Sequence, residues 1–275
     1  MSLGTIGFIG GGNMASSLIG GLIAHGCEPS SIVVSDTDAA KLASLEQRFG
    51  ITRCADNAEA AGRADTVVFA VKPQGMGSVV REVAEAGRTA RPLFVSIAAG
   101  VRASDIARWL AYDAAIVRTM PNTPALVRNG ATALFANAFV SDAERERAET
   151  IMGAVGLTLW VEQEDLLDAV TAVSGSGPAY FFLLMELMEE AGASLGLPRE
   201  DARALTLQTA LGAARMAIES GEPPATLRAN VTSPQGTTER AINTFIDGGL
   251  DRLVRAALHA ARRRAVELGE ALGKD

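Results

Sequence analysis

The chain has 275 residues, a formal net charge of −7 and two cysteines. The negative charge argues against a general nucleic-acid surface, and two cysteines supply neither a disulfide framework nor the usual spacing of a metal site. No apolar run in the sequence is long enough to span a bilayer. The first predicted strand begins so early that we expect no signal peptide. These features predict a cytoplasmic protein with no nucleic-acid, membrane or metal partner.

A glycine-rich turn lies between the first predicted strand and the first predicted helix. The spacing Gly10-x-Gly12-x-x-Ala15 is the dinucleotide fingerprint. Gly10 permits a tight turn, Gly12 lets a pyrophosphate approach the backbone, and Ala15 keeps the helix close to the strand. The alternative is a strand–helix turn that merely tolerates glycine. The strand, helix and following strand around the motif favour nucleotide binding at the helix N-terminus.

A second strand is predicted over residues 31–35 and is followed by Asp36. This aspartate lies about 20 residues beyond the glycine turn, where dinucleotide-binding domains read the ribose hydroxyls. Asp36 or Asp38 could equally cap the helix that follows. Both interpretations stay open on the sequence alone.

Apolar runs and helical patterns alternate along the first 160 residues. Residues 66–71, 93–97 and 115–120 are typical of buried parallel strands, and two more strands are expected at residues 131–136 and 157–161, around a helix over 142–152. This alternation predicts an α/β fold with a doubly wound sheet. We assign residues 1–162 to this domain and residues 163–275, whose pattern is helical, to a second one.

The helical region contains a segment over residues 180–188 that is apolar nearly all round. Such a helix is expected to be buried on every side. A small helical domain offers little interior for it, so we expect it to pack against another subunit.

Few residues are available for acid–base catalysis. There are two histidines, His25 and His259, neither with an acidic partner at useful spacing, and the lysines are Lys41, Lys72 and Lys274. Dehydrogenases of related architecture that oxidise hydroxyl groups use a lysine in the helical domain as a base, which this chain lacks. Two segments rich in small and hydroxyl residues, 173–178 and 230–238, are expected to open helices whose free N–H groups could bind a carboxylate. The alternative for both is ordinary N-capping.

Five segments together resemble the pyrroline-5-carboxylate reductase family: residues 8–15, 70–73, 118–124, 171–180 and 231–238. The resemblance runs through essentially the whole chain. It implies a Rossmann-type domain followed by an all-helical dimerisation domain, a homo-oligomer that is a dimer or an assembly of dimers, and NADP(H) or NAD(H) without a metal. The implied reaction is reduction of 1-pyrroline-5-carboxylate to L-proline. A related imine or keto-acid reductase, or a nucleotide-binding sensor without catalysis, is the alternative.

The resemblance also implies functional residues, with Thr238 as the catalytic residue that orients the substrate nitrogen. The substrate-binding residues would be Val231, Ser233, Gly236, Thr237 and Thr238. The cofactor-binding residues would be Ile9, Gly10, Gly11, Gly12, Asn13, Met14, Ser35, Asp36, Asn57, Ala70, Val71, Lys72, Pro73, Ala98, Ala99, Gly100, Glu164 and Asn230.

Three positions depart from the family pattern. Gly11 stands where alanine is common. Gln235 stands where glycine is common, and we expect it to alter the backbone angle of the substrate loop. Asp36 is expected to influence the choice between NADH and NADPH.

Overall fold

The computed structural model describes residues 3–273. Its first part is one eight-stranded sheet with the strand order β3-β2-β1-β4-β5-β6-β7-β8. The strands are β1 (Ile6–Ile9), β2 (Ile32–Ser35), β3 (Thr52–Arg53), β4 (Thr66–Phe69), β5 (Leu93–Ser96), β6 (Ile116–Met120), β7 (Gly130–Ala136) and β8 (Gly156–Trp160).

All neighbouring strands run parallel except β6 and β7, which are antiparallel. Strand β1 lies between β2 and β4, so the chain reverses its direction of winding there. In a doubly wound sheet this switch point is where ligands bind, beyond the carboxyl ends of the strands. The predicted α/β fold and strand positions are confirmed.

Helices cover both faces of the sheet. They are α1 (Asn13–Ala24), α2 (Ala39–Phe49), α3 (Asn57–Arg63), α4 (Met76–Ala90), α5 (Ala103–Leu110) and α6 (Asp142–Gly153). One face is packed around Phe8 and Leu18, the other around Phe69 and Phe94. The two phenylalanine rings of the second face stack at 5.5 Å between centroids. Strands β1, β2, β4 and β5 are buried on both sides, which fits their apolar sequence.

The remaining helices are α7 (Leu166–Val170), α8 (Gly177–Ser194), α9 (Arg199–Ser220), α10 (Pro224–Asn230), α11 (Thr237–Asp247) and α12 (Leu250–Leu272). The chain divides into two compact units, of which the second comprises residues 177–259. The first comprises residues 3–176 together with 260–273. Within residues 3–273 no helix has the length and apolarity needed to cross a membrane.

The compact units differ from the predicted boundary at 162/163. Helix α7 contacts β6 and β7, so residues 163–176 pack with the sheet. The end of α12 does so as well, because Gly269 lies against the backbone of Gly100. Local sequence pattern separates strands from helices, but it does not show onto which core a helix folds.

The unit of residues 177–259 leaves many large apolar side chains exposed in the single chain. On α8 these are Phe181, Phe182, Leu183, Leu184, Leu187 and Met188, each at least 44% exposed. A continuous exposed apolar patch of this kind marks an interaction surface.

Candidate active site

The glycine turn joins the carboxyl ends of three central strands. Gly10 has φ +99°, and an added Cβ there would lie 2.6 Å from the Ala70 carbonyl oxygen. The Gly10 N–H donates to the Ser35 carbonyl at 2.8 Å, and the Ala70 N–H donates to the Ile9 carbonyl at 2.8 Å. Position 10 therefore requires glycine for both its conformation and its space.

The turn leaves an open cradle at the start of α1. Gly12 is the N-cap residue, no side chain caps this helix, and an added Cβ at Gly12 would meet nothing within 4 Å. Among residues 3–273 the N–H groups of Gly12, Asn13 and Met14 have no hydrogen-bond acceptor. Unpaired N–H groups at a helix N-terminus bind phosphate groups, so this cradle fits the pyrophosphate of a dinucleotide.

Asp36 lies against the glycine turn. One of its oxygens, Oδ2, accepts from the Gly11 N–H at 2.7 Å, while Oδ1 accepts from the Asp38 N–H at 2.8 Å. The N-cap of α2 is Asp38, which accepts from the N–H groups of Ala40 and Lys41. Of the two aspartates considered as caps for this helix, Asp38 is the cap and Asp36 is not. Glycine at position 11 suits this contact, since an added Cβ would lie 2.8 Å from Leu45 Cδ1.

A chain of side-chain hydrogen bonds extends from the end of β2. The Ser35 hydroxyl donates to Asn57 Oδ1 at 2.7 Å, and Asn57 Nδ2 donates to Glu82 Oε2 at 2.6 Å. These bonds fix the two predicted cofactor residues, Ser35 and Asn57, beside each other. Sequence analysis did not anticipate Glu82, because a lone acid in the middle of a helix carries no recognisable pattern.

The predicted nicotinamide-side segments, residues 70–73 and 98–100, follow β4 and β5. The Ile97 N–H donates to the Phe69 carbonyl at 3.2 Å, so the two strand ends are joined. Ser96 supports the second segment, because its hydroxyl accepts from the Ala98 N–H at 3.3 Å and its carbonyl accepts from the Thr119 hydroxyl at 3.0 Å. Lys72 is exposed and Ala98 is buried. The structure thus brings both segments to the same sheet edge as the glycine turn.

Glu164 is held by other parts of the chain. Its Oε1 accepts from the Ala103 N–H at 2.7 Å and from Arg118 Nη1 at 3.1 Å. The Arg118 side chain is 5% exposed, so this is a largely buried ion pair. Glu164 therefore fixes the start of α5 and the end of β6.

Asp168 lies near this ion pair and is buried. Burial raises the pKa of its carboxyl, although the positive charges of Arg118 and Arg102 act in the opposite direction. Neither Arg118 nor Asp168 was identified as a charged site residue from the sequence, where both stand inside regular elements without a motif of paired charges.

The predicted substrate segment forms a tight turn before α11. The Gly236 N–H donates to the Ser233 carbonyl at 3.0 Å. Gln235 adopts φ +61°, and its N–H donates to Glu239 Oε2 at 2.8 Å. Proline at the second position and a left-handed residue at the third define a type II turn. Pro234 precedes the helix, which begins at Thr237. The expected change of backbone angle at Gln235 is not seen, since its φ lies in the left-handed region that glycine adopts readily.

The start of α11 offers several unpaired polar groups. Gly236 is the N-cap residue, and no side chain caps the helix. In the described range 3–273, the N–H groups of Thr237, Thr238 and Glu239 have no acceptor, and the hydroxyls of Ser233, Thr237 and Thr238 make no hydrogen bond. These donors can bind a carboxylate without an arginine.

In the other predicted helix opening, at residues 173–178, a helix does begin, because α8 starts at Gly177. Residues Thr171–Gly175 form a π-helical turn, and the Ser176 N–H donates to the Thr171 carbonyl at 2.8 Å. The Ser174 hydroxyl donates to the Val170 carbonyl at 3.2 Å. These bonds satisfy the Ser174 hydroxyl and the Ser176 N–H before α8 begins, so neither group is free to bind an anion.

Two further predicted residues lie near the substrate segment in sequence. Asn230 is the last residue of α10, and its Nδ2 donates to Glu222 Oε2 at 3.5 Å. Val231 is 59% exposed. Residues 3–273 contain no group of three or more His, Cys, Asp and Glu side chains arranged to hold a metal.

Two family models match separate parts of the chain. Residues 164–268 match the model described as pyrroline-5-carboxylate reductase dimerisation, so the chain associates with itself. Residues 5–100 match the model described as NADP oxidoreductase, coenzyme F420-dependent. The cofactor is thus a nicotinamide dinucleotide.

Relatives resemble the chain over its full length. A pyrroline-5-carboxylate reductase of Pseudomonas aeruginosa is 53% identical over 274 residues, covering 100% of both proteins. A solved structure of the enzyme from Coxiella burnetii has a TM-score of 0.93 and 47% identity, covering 96% of this chain and 98% of that one. The Plasmodium falciparum enzyme, solved with NADP bound, has a TM-score of 0.84 and 28% identity, covering 98% of this chain and 99% of that one.

The glycine cradle, the uncapped start of α11 and the similarity along the entire chain lead to one conclusion. The chain belongs to the pyrroline-5-carboxylate reductase family, oxidoreductases of proline biosynthesis that reduce a C=N bond with a nicotinamide cofactor.

Proposed function

We propose that the protein reduces 1-pyrroline-5-carboxylate to L-proline and that its two compact units provide different binding sites for this reaction. The sheet edge around the glycine turn holds the cofactor, and the turn before α11 holds the substrate. The observation that carries the substrate assignment is the set of unpaired N–H groups at Thr237, Thr238 and Glu239, with free hydroxyls on Ser233 and Thr238 beside them. This set provides donors for a carboxylate and a separate hydroxyl for a ring nitrogen.

The cofactor assignments follow the geometry of the sheet edge. The N–H groups of Gly12, Asn13 and Met14 would hold the pyrophosphate. Asp36 and Ser35 would lie at the adenosine ribose, with Asn57 fixed behind them by its bond to Ser35. Residues 70–73 and 98–100 would border the nicotinamide ribose. When bound, the reduced nicotinamide supplies the hydride.

The chain itself needs little acid–base chemistry for this reaction. A cyclic imine protonates readily, and its C=N carbon is then already electrophilic. Thr238 Oγ1 hydrogen-bonds the ring nitrogen and orients the C=N bond, while the N–H groups at the start of α11 fix the carboxylate. The nitrogen keeps its proton and becomes the secondary amine of proline as the carbon receives the hydride. Catalysis then rests mainly on positioning, which agrees with the scarcity of histidine and lysine.

Three remaining assignments belong to the same proposal. We infer that the smallest active assembly is a dimer built through the apolar face of α8, and that dimers can associate further. Glu164 and Asn230 would support the cofactor side from a distance, Glu164 through Arg118. The protein would lie in the cytoplasm, since Cys27 and Cys54 are both free thiols and thiols stay reduced in that compartment.

The substrate assignment is tested by removing the carboxylate from the substrate. The purified protein is assayed with NADPH and either 1-pyrroline-5-carboxylate or 1-pyrroline, following the oxidation of NADPH. We expect kcat/KM to fall about 10- to 150-fold or more for 1-pyrroline, because charge-assisted hydrogen bonds to the carboxylate are lost. Equal efficiency with both compounds would overturn the carboxylate site.

A further inference from the structure

The turn over residues 233–236 contains a residue that does not favour its own conformation. Gln235 has φ +61°, a left-handed angle that is common for glycine and unfavourable for a residue with a Cβ. A type I turn would give Gln235 an ordinary φ of about −90° and is compatible with Pro234 at the second position. Something other than local preference must therefore hold the turn as type II.

The Glu239 carboxylate stabilises the type II form of the turn. In the type II turn the N–H of Gln235 points at Glu239 Oε2, with a distance of 2.8 Å. Conversion to type I rotates the peptide between Pro234 and Gln235 by about 180°. The carbonyl oxygen of Pro234 would then replace the N–H in front of the carboxylate. Glu239 thus gains a charge-assisted hydrogen bond in one form and faces a repelling oxygen in the other.

The position of Glu239 makes this role specific to the substrate segment. It is the third residue of α11, and the turn that it holds carries Ser233 at one end and Gly236, the N-cap of α11, at the other. A flipped peptide would shift both ends relative to the unpaired N–H groups. A carboxylate here also repels a bound substrate carboxylate, so its benefit has to come through the turn.

We propose that Glu239 is a positioning residue for the substrate, which acts by holding residues 233–236 in the type II conformation that Gln235 alone would not keep. This inference rests on the proposed function of the same segment in binding 1-pyrroline-5-carboxylate. Without Glu239, only the fraction of molecules with the correct turn binds substrate, and the apparent KM rises by the inverse of that fraction.

The experiment measures kcat and KM for 1-pyrroline-5-carboxylate and for NADPH in a set of variants. Glu239→Ala should raise the substrate KM about tenfold, the ratio set by a left-handed residue without its tether. The KM for NADPH should stay within about twofold. Glu239→Gln retains an acceptor oxygen, so its substrate KM should rise less than that of Glu239→Ala.

A second substitution tests the mechanism of the effect. Gln235→Gly gives the turn a residue that adopts φ +61° without strain, so Glu239→Ala in this background should raise the substrate KM less than about threefold. Glu200→Ala removes a first-turn carboxylate from a different helix, α9, and serves as the matched control. Thermal unfolding of each variant verifies that it is folded.

The outcomes separate this inference from the proposed function. If Thr238→Ala loses activity but Glu239→Ala leaves the substrate KM unchanged, only the role of Glu239 is overturned. It is also overturned if Glu239→Gln and Glu239→Ala behave alike, or if the effect of Glu239→Ala is the same in both backgrounds. Full activity of Thr238→Ala would instead overturn the substrate assignment itself.

Discussion

The Asp36 carboxylate accepts a hydrogen bond from the backbone N–H of Gly11 at 2.7 Å. This bond anchors the acid at the end of β2 to the turn that would hold the cofactor, while the neighbouring Asp38 caps α2. Two aspartates separated by one residue thus have different roles. Because the helix cap is Asp38, Asp36 can be substituted to test cofactor choice without removing the cap.

We predict that Asp36→Ser shifts the ratio of kcat/KM towards NADPH by about tenfold, or roughly 1.4 kcal/mol. A carboxylate can accept from both ribose hydroxyls of NADH, and it repels the 2′-phosphate of NADPH. Asp38→Ser is the matched control, since it keeps a capping hydroxyl and should leave the ratio unchanged. The measurement is kcat/KM with each cofactor for all three proteins. An unchanged ratio in Asp36→Ser would show that Asp36 only supports the turn.

The glycine turn predicts opposite behaviour at Gly10 and Gly12. Alanine at Gly10 combines φ +99° with a Cβ 2.6 Å from the Ala70 carbonyl, so it should destabilise the fold. Gly12 has φ −72° and open space where a Cβ would lie, so Gly12→Ala should keep the stability of the fold. Its added methyl group would crowd the pyrophosphate, so the KM for NADPH should rise about tenfold or more. Thermal unfolding and steady-state kinetics of both variants test this contrast. If Gly12→Ala keeps the normal KM, the pyrophosphate does not lie there.

Self-association through α8 predicts a strong effect of a charge on its apolar face. Leu184 is 47% exposed in the single chain, and Leu184→Asp would bury an unpaired carboxylate in the interface, costing several kcal/mol. We expect sedimentation to show a smaller assembly or an unfolded chain for this variant. Glu190→Asp, a conservative change at an exposed position of the same helix, should keep the native size. A folded monomer of the unmodified protein at micromolar concentration would refute the proposed dimer.

Asp168 predicts a pH dependence of stability. Burial raises the pKa of its carboxyl in the folded protein, despite the opposing charges of Arg118 and Arg102. Its contribution to stability is therefore fully present below the pKa of the unfolded chain and is lost as pH rises through the higher folded pKa. Asparagine does not ionise in this range, so Asp168→Asn does not lose this stability as pH rises. Urea unfolding at several pH values above about 4 should show the variant gaining stability relative to the unmodified protein as pH rises; a constant difference would contradict the assignment.

The fold could be predicted well because strands β4 and β5 come from apolar runs and the glycine turn fixes the switch point of the sheet. The unit boundary could not be predicted, since the packing of α7 on β6 and β7 depends on tertiary contacts. The π-helical turn at Thr171–Gly175 was also missed. Its serine and glycine are typical of a helix start, and only the observed bond from the Ser176 N–H to the Thr171 carbonyl shows that a π-helical turn precedes α8.

The candidate site shows the same limit. Gly10, Gly12 and Asp36 stand at fixed spacing in one segment, so their grouping is visible in the sequence. The bonds from the Asn57 side chain to Glu82 and from the Gln235 N–H to Glu239 join residues that no motif connects. Which residues meet in these bonds depends on how the backbone folds.

We propose that the start of α11 binds and orients the substrate, and substitution of Thr238 tests this proposal most directly. The measurement is kcat/KM for 1-pyrroline-5-carboxylate in Thr238→Ala and Thr238→Ser, with thermal unfolding as the control for structure. Loss of a hydrogen bond to a charged nitrogen costs about 1.5–3 kcal/mol, so alanine should lower kcat/KM roughly 10- to 150-fold, and serine should recover most of it. A Thr238→Ala variant within about twofold of the unmodified protein would contradict the claim.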